Sequence, residues 1–231
     1  MTKEKLIVAL DVDTFEEAEN LVNILTPEVN VFKVGIAPFT KFGDKILDVI
    51  AKKGKKVFLD LKFHDIPNTV KNAAKSAAEK NVFMMNFHCM GGRRMLSAAV
   101  NGARESGKNT KTLLLGVTIL TSMDSEEMRS IGMEGNIADK VLEFAVLAKE
   151  CGMDGVVASS KEVKLIKQNL GKDFIVVTPG VRPQWASSGD QKRVLTPKQA
   201  VDEGADYIVI GRPVIQSEDP LAAARRIIEE M

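Results

Sequence analysis

Two carboxylates and an ammonium lie within six positions of one another, directly after an apolar run. Asp60, Lys62 and Asp65 follow residues 57–59. Residues two apart on a β-strand share a face, so we expect Asp60 and Lys62 to point the same way as Phe58. Burying charge is unfavourable unless neighbours compensate it, and this spacing therefore indicates a site of chemistry.

The charges in this region alternate in sign when Lys33 is added to the series Asp60, Lys62 and Asp65. We expect the flanking carboxylates to favour the ammonium form of Lys62. An ammonium can donate a proton to a developing carbanion, whereas forming a Schiff base needs a free amine. A purely structural ion-pair cluster is the alternative interpretation.

Eight short apolar, β-rich runs recur at fairly even intervals, at residues 6–10, 31–34, 57–61, 82–87, 112–120, 155–159, 174–178 and 207–211. Segments with helical spacing and capping signals separate them, such as Thr14-x-x-Glu17 and Thr196-Pro197. The alternation predicts α/β class, with one (β/α)8 TIM barrel domain over residues 1–231. An open doubly wound sheet is the second choice, but no G-x-G-x-x-G follows the first strand.

The active site of such a barrel lies at the C-terminal ends of its strands. Asp11 closes the first predicted strand, Lys33 lies late in the second, and Asp60 and Lys62 end the third. Alternation along the first strand directs Ala9 and Asp11 into the lumen. We therefore expect all four charged side chains at one mouth of the barrel.

Glycine-containing segments follow the last two predicted strands. Residues 178–182 read Thr-Pro-Gly-Val-Arg, and residues 211–213 read Gly-Arg-Pro. Barrels commonly bind phosphate at this place. Glycine lets backbone N–H groups approach an anion, Pro213 could start a short helix facing it, and Arg212 would add paired donors. A merely solvated arginine is the alternative.

The segment 183–193 is polar and longer than a usual βα turn, which favours a mobile lid over a passive surface loop. It holds the only tryptophan, Trp185, whose fluorescence we expect to change when ligand binds. Thr121 and Ser122 end the fifth predicted strand. Their hydroxyls could contact a planar base or simply cap the next helix.

The composition favours a small molecule as the main binding partner. Lys plus Arg is 32 against 31 for Asp plus Glu, so no basic surplus suggests nucleic acid or an anionic membrane. The longest apolar stretch, 113–120, is too short to span a bilayer, and the N-terminus lacks a signal-peptide layout, so we expect a cytoplasmic protein. Cys89 and Cys151 fit no metal or redox spacing, and with only two histidines we expect no metal site.

Taken together, these motifs resemble the orotidine 5′-phosphate decarboxylase family from the first strand to the last. The resemblance rests on Asp11, Lys33, the segment D-x-K-x-x-D-I-P-N-T at 60–69, and the segments 178–182 and 210–212. D-x-K-x-x-D alone is shared with relatives of different activity. The resemblance implies decarboxylation of orotidine 5′-phosphate to uridine 5′-phosphate, the last step of pyrimidine nucleotide synthesis, without metal or cofactor.

The resemblance also implies roles for the charged residues. Lys62 would donate the proton to C6 of the pyrimidine, and Asp60 would lie near the departing carboxylate. Lys33 and Asp11 would contact the ribose hydroxyls, while Thr121 would meet the pyrimidine.

For the phosphate, the resemblance implies Arg182, Gly211 and Arg212, with Gln191 bridging lid, base and phosphate. In that family the residues matching Asp65 and Thr69 reach into the other subunit's site. The resemblance therefore implies a homodimer in which these two residues complete the neighbouring site.

Two other functions stay open at this stage. A related barrel of the 3-keto-gulonate 6-phosphate decarboxylase or hexulose phosphate synthase type stabilises an enediolate with magnesium. Its pattern implies an acidic residue where this chain has Lys33, and a lysine there would repel the metal. A non-catalytic barrel would bind a phosphorylated ligand without turnover.

Overall fold

A closed barrel of eight parallel strands forms the centre of the molecule, and each strand pairs with the next until β8 pairs with β1. The computed structural model describes residues 2–107, 112–186 and 195–231. The strands are β1 Leu6–Ala9, β2 Val31–Gly35, β3 Lys56–Phe63, β4 Met84–His88, β5 Leu113–Val117, β6 Gly155–Val157, β7 Ile175–Pro179 and β8 Tyr207–Ile210. The (β/α)8 barrel predicted from the alternation of elements is confirmed, and the open sheet is wrong.

Helices connect the strands on the outside of the barrel. Those in the described ranges are α1 Phe15–Leu25, α2 Ile36–Phe42, α3 Asp44–Lys52, α4 Pro67–Glu79, α5 Gly92–Arg104, α6 Ser125–Ser130, α7 Ile137–Glu150, α8 Val163–Leu170, α9 Pro197–Asp202, α10 Arg212–Ile215 and α11 Pro220–Glu230. Short 3-10 turns cover Thr2–Lys5, Cys89–Gly91 and Ser160–Glu162. None of the helices in these ranges is long and apolar enough to cross a membrane.

The capping signals in the sequence correspond to real helix starts. The Thr14 side chain accepts a hydrogen bond from the Glu17 N–H at the start of α1. Thr196 and Gln199 form a reciprocal capping box at α9. Such caps satisfy backbone N–H groups that have no partner inside the helix, which explains why these helices begin where they do.

Alternation along the strands separates two apolar layers. One set points into the lumen and includes Ile7, Val31, Phe58 and Met84. The opposite set packs against the surrounding helices in a larger continuous core. The lumen is therefore filled with side chains, and the open end of the barrel is where a ligand can enter.

The predicted bounds of every strand differ from the observed ones by one to three residues at one end or both. The differences that matter for the site are in the fifth strand, predicted to extend to 120, and in the third, predicted from 57 to 61. β5 ends at Val117, and the hydroxyl of Thr118 bonds to the Val157 carbonyl. β3 instead runs longer, from Lys56 to Phe63. Its register against β4 shifts between Leu59 and Phe63, because Leu59 lies opposite Met85 and Phe63 opposite Phe87. Four steps along β3 thus face two steps along β4.

Candidate active site

Four charged side chains meet at the carboxyl ends of the first three strands. The Lys62 Nζ lies 2.7 Å from Asp60 Oδ1, and the Lys33 Nζ lies 3.3 Å from Asp60 Oδ2. Lys33 also lies 3.5 Å from Asp11 Oδ1. Each oxygen of the Asp60 carboxylate thus faces a different ammonium. The structure brings together the four residues that the sequence singled out.

Asp60 is the buried centre of this cluster. Burial by itself would raise the pKa of its carboxyl group, but the charges of Lys33 and Lys62 act against it, as do hydrogen bonds from Lys62 and Asn86. The net effect is a pKa below the ordinary value of an aspartate. Asp60 is therefore a carboxylate at neutral pH, although it is almost excluded from water.

Gly35 leaves the space that the Lys33 ammonium occupies. It lies opposite Asp60 in the pairing of β2 with β3. A Cβ at this position would lie 2.9 Å from Lys33 Nζ and 3.2 Å from Asp11 Oδ1. The φ of Gly35 is −86°, so backbone conformation does not require glycine here. What requires it is room for the charged groups.

Lys62 has a left-handed backbone conformation with a φ of +50°. For a residue with a side chain this conformation costs on the order of 1 kcal/mol, so the surroundings must stabilise it. Lys62 lies in the stretch where the register of β3 against β4 shifts. Simple strand alternation does not hold through this bulge, but Asp60 and Lys62 still line the same cavity.

The cavity above the cluster has a volume of about 580 Å³, including the open space at its mouth. Its polar wall is formed by Lys33, Asp60, Lys62 and Thr121. The remaining lining is apolar and comes from Phe58, Val117, Ile119, Leu120, Val157, Ala158, Pro179 and Val209. Such a cavity suits a flat ring with a charged group on one edge.

Thr121 lines this cavity from the loop that follows β5. The alternative interpretation, in which Thr121 or Ser122 caps the next helix, is wrong. Asp124 takes that position, since its side chain accepts from the N–H groups of Glu126 and Glu127 at the start of α6. A pocket contact is therefore the remaining interpretation for Thr121.

The predicted phosphate residues lie at the same end of the barrel but differ in exposure. Gly211 follows β8 beside Ala9, and the exposed Arg212 begins α10, with Pro213 in its first turn, as the sequence predicted. Arg182 is buried, and one of its guanidinium nitrogens donates to the Val181 carbonyl.

Arg182 lines a surface depression near α9 that is distinct from the cavity above Lys62. Trp185, in the first part of the predicted lid, is partly buried. The guanidinium carbon of Arg226 lies 4.9 Å from the centroid of the Trp185 ring. Gln191 lies outside the described residues, as does most of the predicted lid.

Asp65 and Thr69 do not line the cavity of their own chain. Both are exposed, Asp65 in the segment that joins β3 to α4 and Thr69 in the first turn of α4. The Asp65 Oδ1 accepts from the Ile66 N–H. Two large apolar side chains are also exposed, Ile66 at 68% next to Asp65 and Met90 at 45% in the turn that follows β4. Within one chain, Asp65 and Thr69 therefore lie outside the lining of the cavity to which Lys62 belongs.

The comparisons with known proteins agree with this architecture. The family model described as "Orotidine 5'-phosphate decarboxylase / HUMPS family" matches residues 4–227. The chain belongs to this family. The resemblance inferred from the sequence motifs is confirmed.

Several members of the orotidine 5′-phosphate decarboxylase / HUMPS family align with nearly the whole chain. Orotidine 5′-phosphate decarboxylase of Syntrophotalea carbinolica is 49% identical, and the match covers 99% of this chain and 95% of that one. The enzyme of Saccharophagus degradans is 48% identical, with 98% and 94% covered. The crystal structure of the Lactobacillus acidophilus enzyme has a TM-score of 0.87 at 37% identity, with 98% of each chain covered.

The sequence interpretation missed two residues that shape the ion cluster. Asn86 is 0% exposed, and its amide contacts both Asp60 and Lys62. The sequence did contain a signal for Asn86, because it is the polar residue of an otherwise apolar run. It also lies two residues after Met84, so both share the face of the strand that points into the lumen. Gly35 offered no comparable signal, since its role depends on where Lys33 folds in space.

The two histidines of the chain lie next to one another at the edge of the site, with ring centroids 5.5 Å apart. His88 is partly buried and His64 is exposed. Burial lowers the pKa of His88, and the charges of His64 and Lys62 lower it further, against a smaller opposing effect of Asp60. The neutral imidazole of His88 is therefore favoured in the folded protein.

Proposed function

We propose that this chain catalyses the decarboxylation of orotidine 5′-phosphate to uridine 5′-phosphate, as a carbon–carbon lyase of pyrimidine nucleotide synthesis. The relatives named above, at 48% and 49% identity over nearly the whole chain, support this activity. The observation that carries the proposal is the Asp60 carboxylate held between the ammonium groups of Lys33 and Lys62. This arrangement suits a reaction in which a carboxylate leaves and a carbanion forms.

The proposed reaction breaks the bond between C6 of the pyrimidine and its carboxylate carbon. Carbon dioxide leaves, and the electron pair stays on C6. The Lys62 ammonium first stabilises this charge and then transfers a proton from Nζ to C6. The products are uridine 5′-phosphate and carbon dioxide, and the neutral amine of Lys62 regains its proton from solvent.

Asp60 has two proposed effects on this step. Its Oδ1 accepts a hydrogen bond from Lys62 Nζ, which holds the ammonium in place before the charge on C6 develops, so little reorganisation is needed during the reaction. Its own negative charge would also disfavour the substrate carboxylate in the ground state.

The proposed reaction uses neither a metal nor a cofactor. The Lys33 ammonium lies within 3.5 Å of Asp11 and 3.3 Å of Asp60, where a divalent cation shared by these carboxylates would have to bind. The family description also covers the HUMPS group. The lysine between two carboxylates favours the metal-free reaction over a magnesium-dependent one on a sugar phosphate.

The substrate phosphate is proposed to bind at Gly211 and Arg212. The glycine allows close approach of an anion to the backbone after β8, and the exposed guanidinium can offer paired donors. Arg182 and Gln191 are further candidates from the family resemblance, and Thr121 is the candidate contact for the pyrimidine. Binding of the phosphate would supply energy that positions the ring above Lys62.

A homodimer is proposed to complete each site. Asp65 and Thr69 are exposed and separate from the cavity of their own chain, so they are available to a second copy. The exposed Ile66 between them would be covered in such an interface. The substrate site would then combine Lys62 of one subunit with Asp65 and Thr69 of the other.

The direct test follows the absorbance of orotidine 5′-phosphate with purified protein and an excess of chelator. We expect turnover that chelation leaves unchanged and that collapses by at least about 1,000-fold in Lys62→Ala, because both charge stabilisation and the proton donor are lost. A binding barrel would instead retain affinity for the nucleotide without turnover. A fully active Lys62→Ala variant would contradict the proposed role of the lysine.

A further inference from the structure

Asn86 is a buried amide on the lumen side of the barrel. It lies on β4 at 0% exposure, two residues after the lumen-facing Met84, whereas Met85 and Phe87 on either side of it belong to the outer apolar core. An amide in such surroundings is unfavourable unless its donor and acceptor groups have partners. Both ends of the Asn86 amide find their partners in the ion cluster.

The two hydrogen bonds define one orientation of the amide. Nδ2 of Asn86 donates to Asp60 Oδ1 over 2.7 Å, and Oδ1 of Asn86 accepts from the Lys62 backbone N–H over 2.8 Å. Turning the amide by half a turn would place its oxygen against the carboxylate and its NH2 group against the N–H. Both contacts would then be repulsive, so only the observed orientation satisfies the site.

The contact with the Lys62 N–H lies where regular strand pairing is interrupted. The register of β3 against β4 passes from Leu59 opposite Met85 to Phe63 opposite Phe87. Lys62 falls within this stretch and has a φ of +50°. The side chain of Asn86 supplies the acceptor for a backbone group in a conformation that a lysine rarely adopts.

We propose that Asn86 is a positioning residue for catalysis, which holds the Lys62 backbone in its left-handed turn and the Asp60 carboxylate in one orientation. The effect is that Lys62 Nζ stays 2.7 Å from Asp60 Oδ1. Asn86 is absent from the residues that line the cavity, so it acts through Asp60 and Lys62 and does not touch substrate. The inference rests on the proposed decarboxylase function.

The test compares two substitutions of Asn86 with a matched control. Asn86→Ala removes both hydrogen bonds. Asn86→Asp keeps the shape and the acceptor for Lys62 but faces Asp60 with a second carboxylate. Thr118→Val is the control, because Thr118 is equally buried near the mouth of the barrel and its hydroxyl donates only to the Val157 carbonyl, away from the cluster.

We expect kcat to fall at least about 10-fold in both Asn86 variants, because a small displacement of a catalytic group has a large effect on rate. The KM for orotidine 5′-phosphate and the affinity for uridine 5′-phosphate should stay within about threefold, since the cavity lining is unchanged. Thr118→Val should lose stability but keep kcat. A folded Asn86 variant with wild-type kcat would overturn the proposal, and so would the failure of both Asn86 variants to fold.

A readout that does not depend on turnover separates this inference from the proposed function. If the wild-type protein does not decarboxylate the substrate, the proposed function fails. Crystal structures of wild type and Asn86→Ala then judge the positioning role alone. We expect Lys62 to leave the left-handed region and its Nζ to move away from Asp60 in the variant, and an unchanged Lys62 would contradict the inference.

Discussion

Individual side chains at the barrel mouth are constrained by their charged neighbours more than by packing. The Lys33 ammonium reaches two carboxylates only because position 35 has no side chain. The Lys62 ammonium reaches Asp60 from a backbone conformation that lysine rarely adopts. At the scale of single residues, small changes of volume should therefore affect activity before they affect stability.

Gly35→Ala tests this directly. The new methyl group would meet the flexible end of Lys33, so the chain should still fold, but the ammonium must move away from Asp11 and Asp60. We expect kcat/KM to fall about 10-fold or more, with a melting temperature close to wild type. Gly43→Ala is the control, because Gly43 has a φ of +58° and open space around it. That substitution should reduce stability and leave kcat/KM unchanged, and the reverse pattern would contradict the argument.

His88 gives a prediction about pH. Its pKa in the folded protein lies below its ordinary value, so protonation disfavours the fold. The stability that the neutral form of His88 contributes is fully present above its unfolded-state pKa of about 6.5. It is lost as the pH falls towards the lower pKa of the folded state. Between about pH 7.5 and pH 5, the free energy of unfolding should decrease less in His88→Asn than in the wild-type protein, as measured by urea denaturation. Equal slopes for wild type and His88→Asn would rule out this role.

At the scale of elements, alternation and capping signals were sufficient to predict the strands and several helix starts. Thr14 and Thr196 mark helices correctly because caps depend on local sequence. The shift of β3 against β4 depends on how two distant segments pair, so it could not be predicted from residues 56–63 alone. The same shift explains why the contact between Asn86 and Lys62 was not foreseen.

The packing of α4 against α5 gives a prediction at this scale. A Cβ on Gly102 of α5 would lie 2.1 Å from the backbone carbonyl oxygen of Lys71 in α4. Because this contact involves the backbones of both helices, neither group can easily move aside. We expect Gly102→Ala to destabilise the protein by about 1–3 kcal/mol, seen as a lower melting temperature. Asn101→Ala, at the exposed neighbouring position, should change stability by less than about 0.5 kcal/mol. Equal stability of the two variants would mean that the helices can separate without cost.

At the scale of the whole molecule, the closed barrel collects residues from strands far apart in sequence, and the family match extends over residues 4–227. The order of elements was enough to predict this architecture. The site was predictable to the extent that strand ends converge in a barrel, which held for Asp11, Lys33 and Asp60. Sequence could not place Arg182, because whether its guanidinium turns towards the cavity or away depends on the fold of its loop.

Mixing two inactive variants tests the proposed shared site. Lys62→Ala and Asp65→Ala should each have little activity as homodimers. After subunit exchange, a mixed dimer contains one site with both native residues and one site with neither. An equal mixture should therefore recover roughly a quarter of wild-type activity, measured by the absorbance assay.

The control for this experiment is a mixture of Lys62→Ala with the Lys62→Ala, Asp65→Ala double variant, which should recover nothing. No recovery in the first mixture, with subunit exchange demonstrated, would mean that Asp65 does not act across subunits.

The formal charges of Asp11, Lys33, Asp60 and Lys62 add up to zero within one chain. Such a neutral group produces a field that decays quickly with distance, so it exerts little pull on an anion still out in bulk solvent. Encounter rates should accordingly respond to ionic strength through the exposed Arg212, while added salt leaves the chemical step almost untouched. Capture and conversion of the ligand would thus be governed by separate electrostatic elements of the same barrel rim.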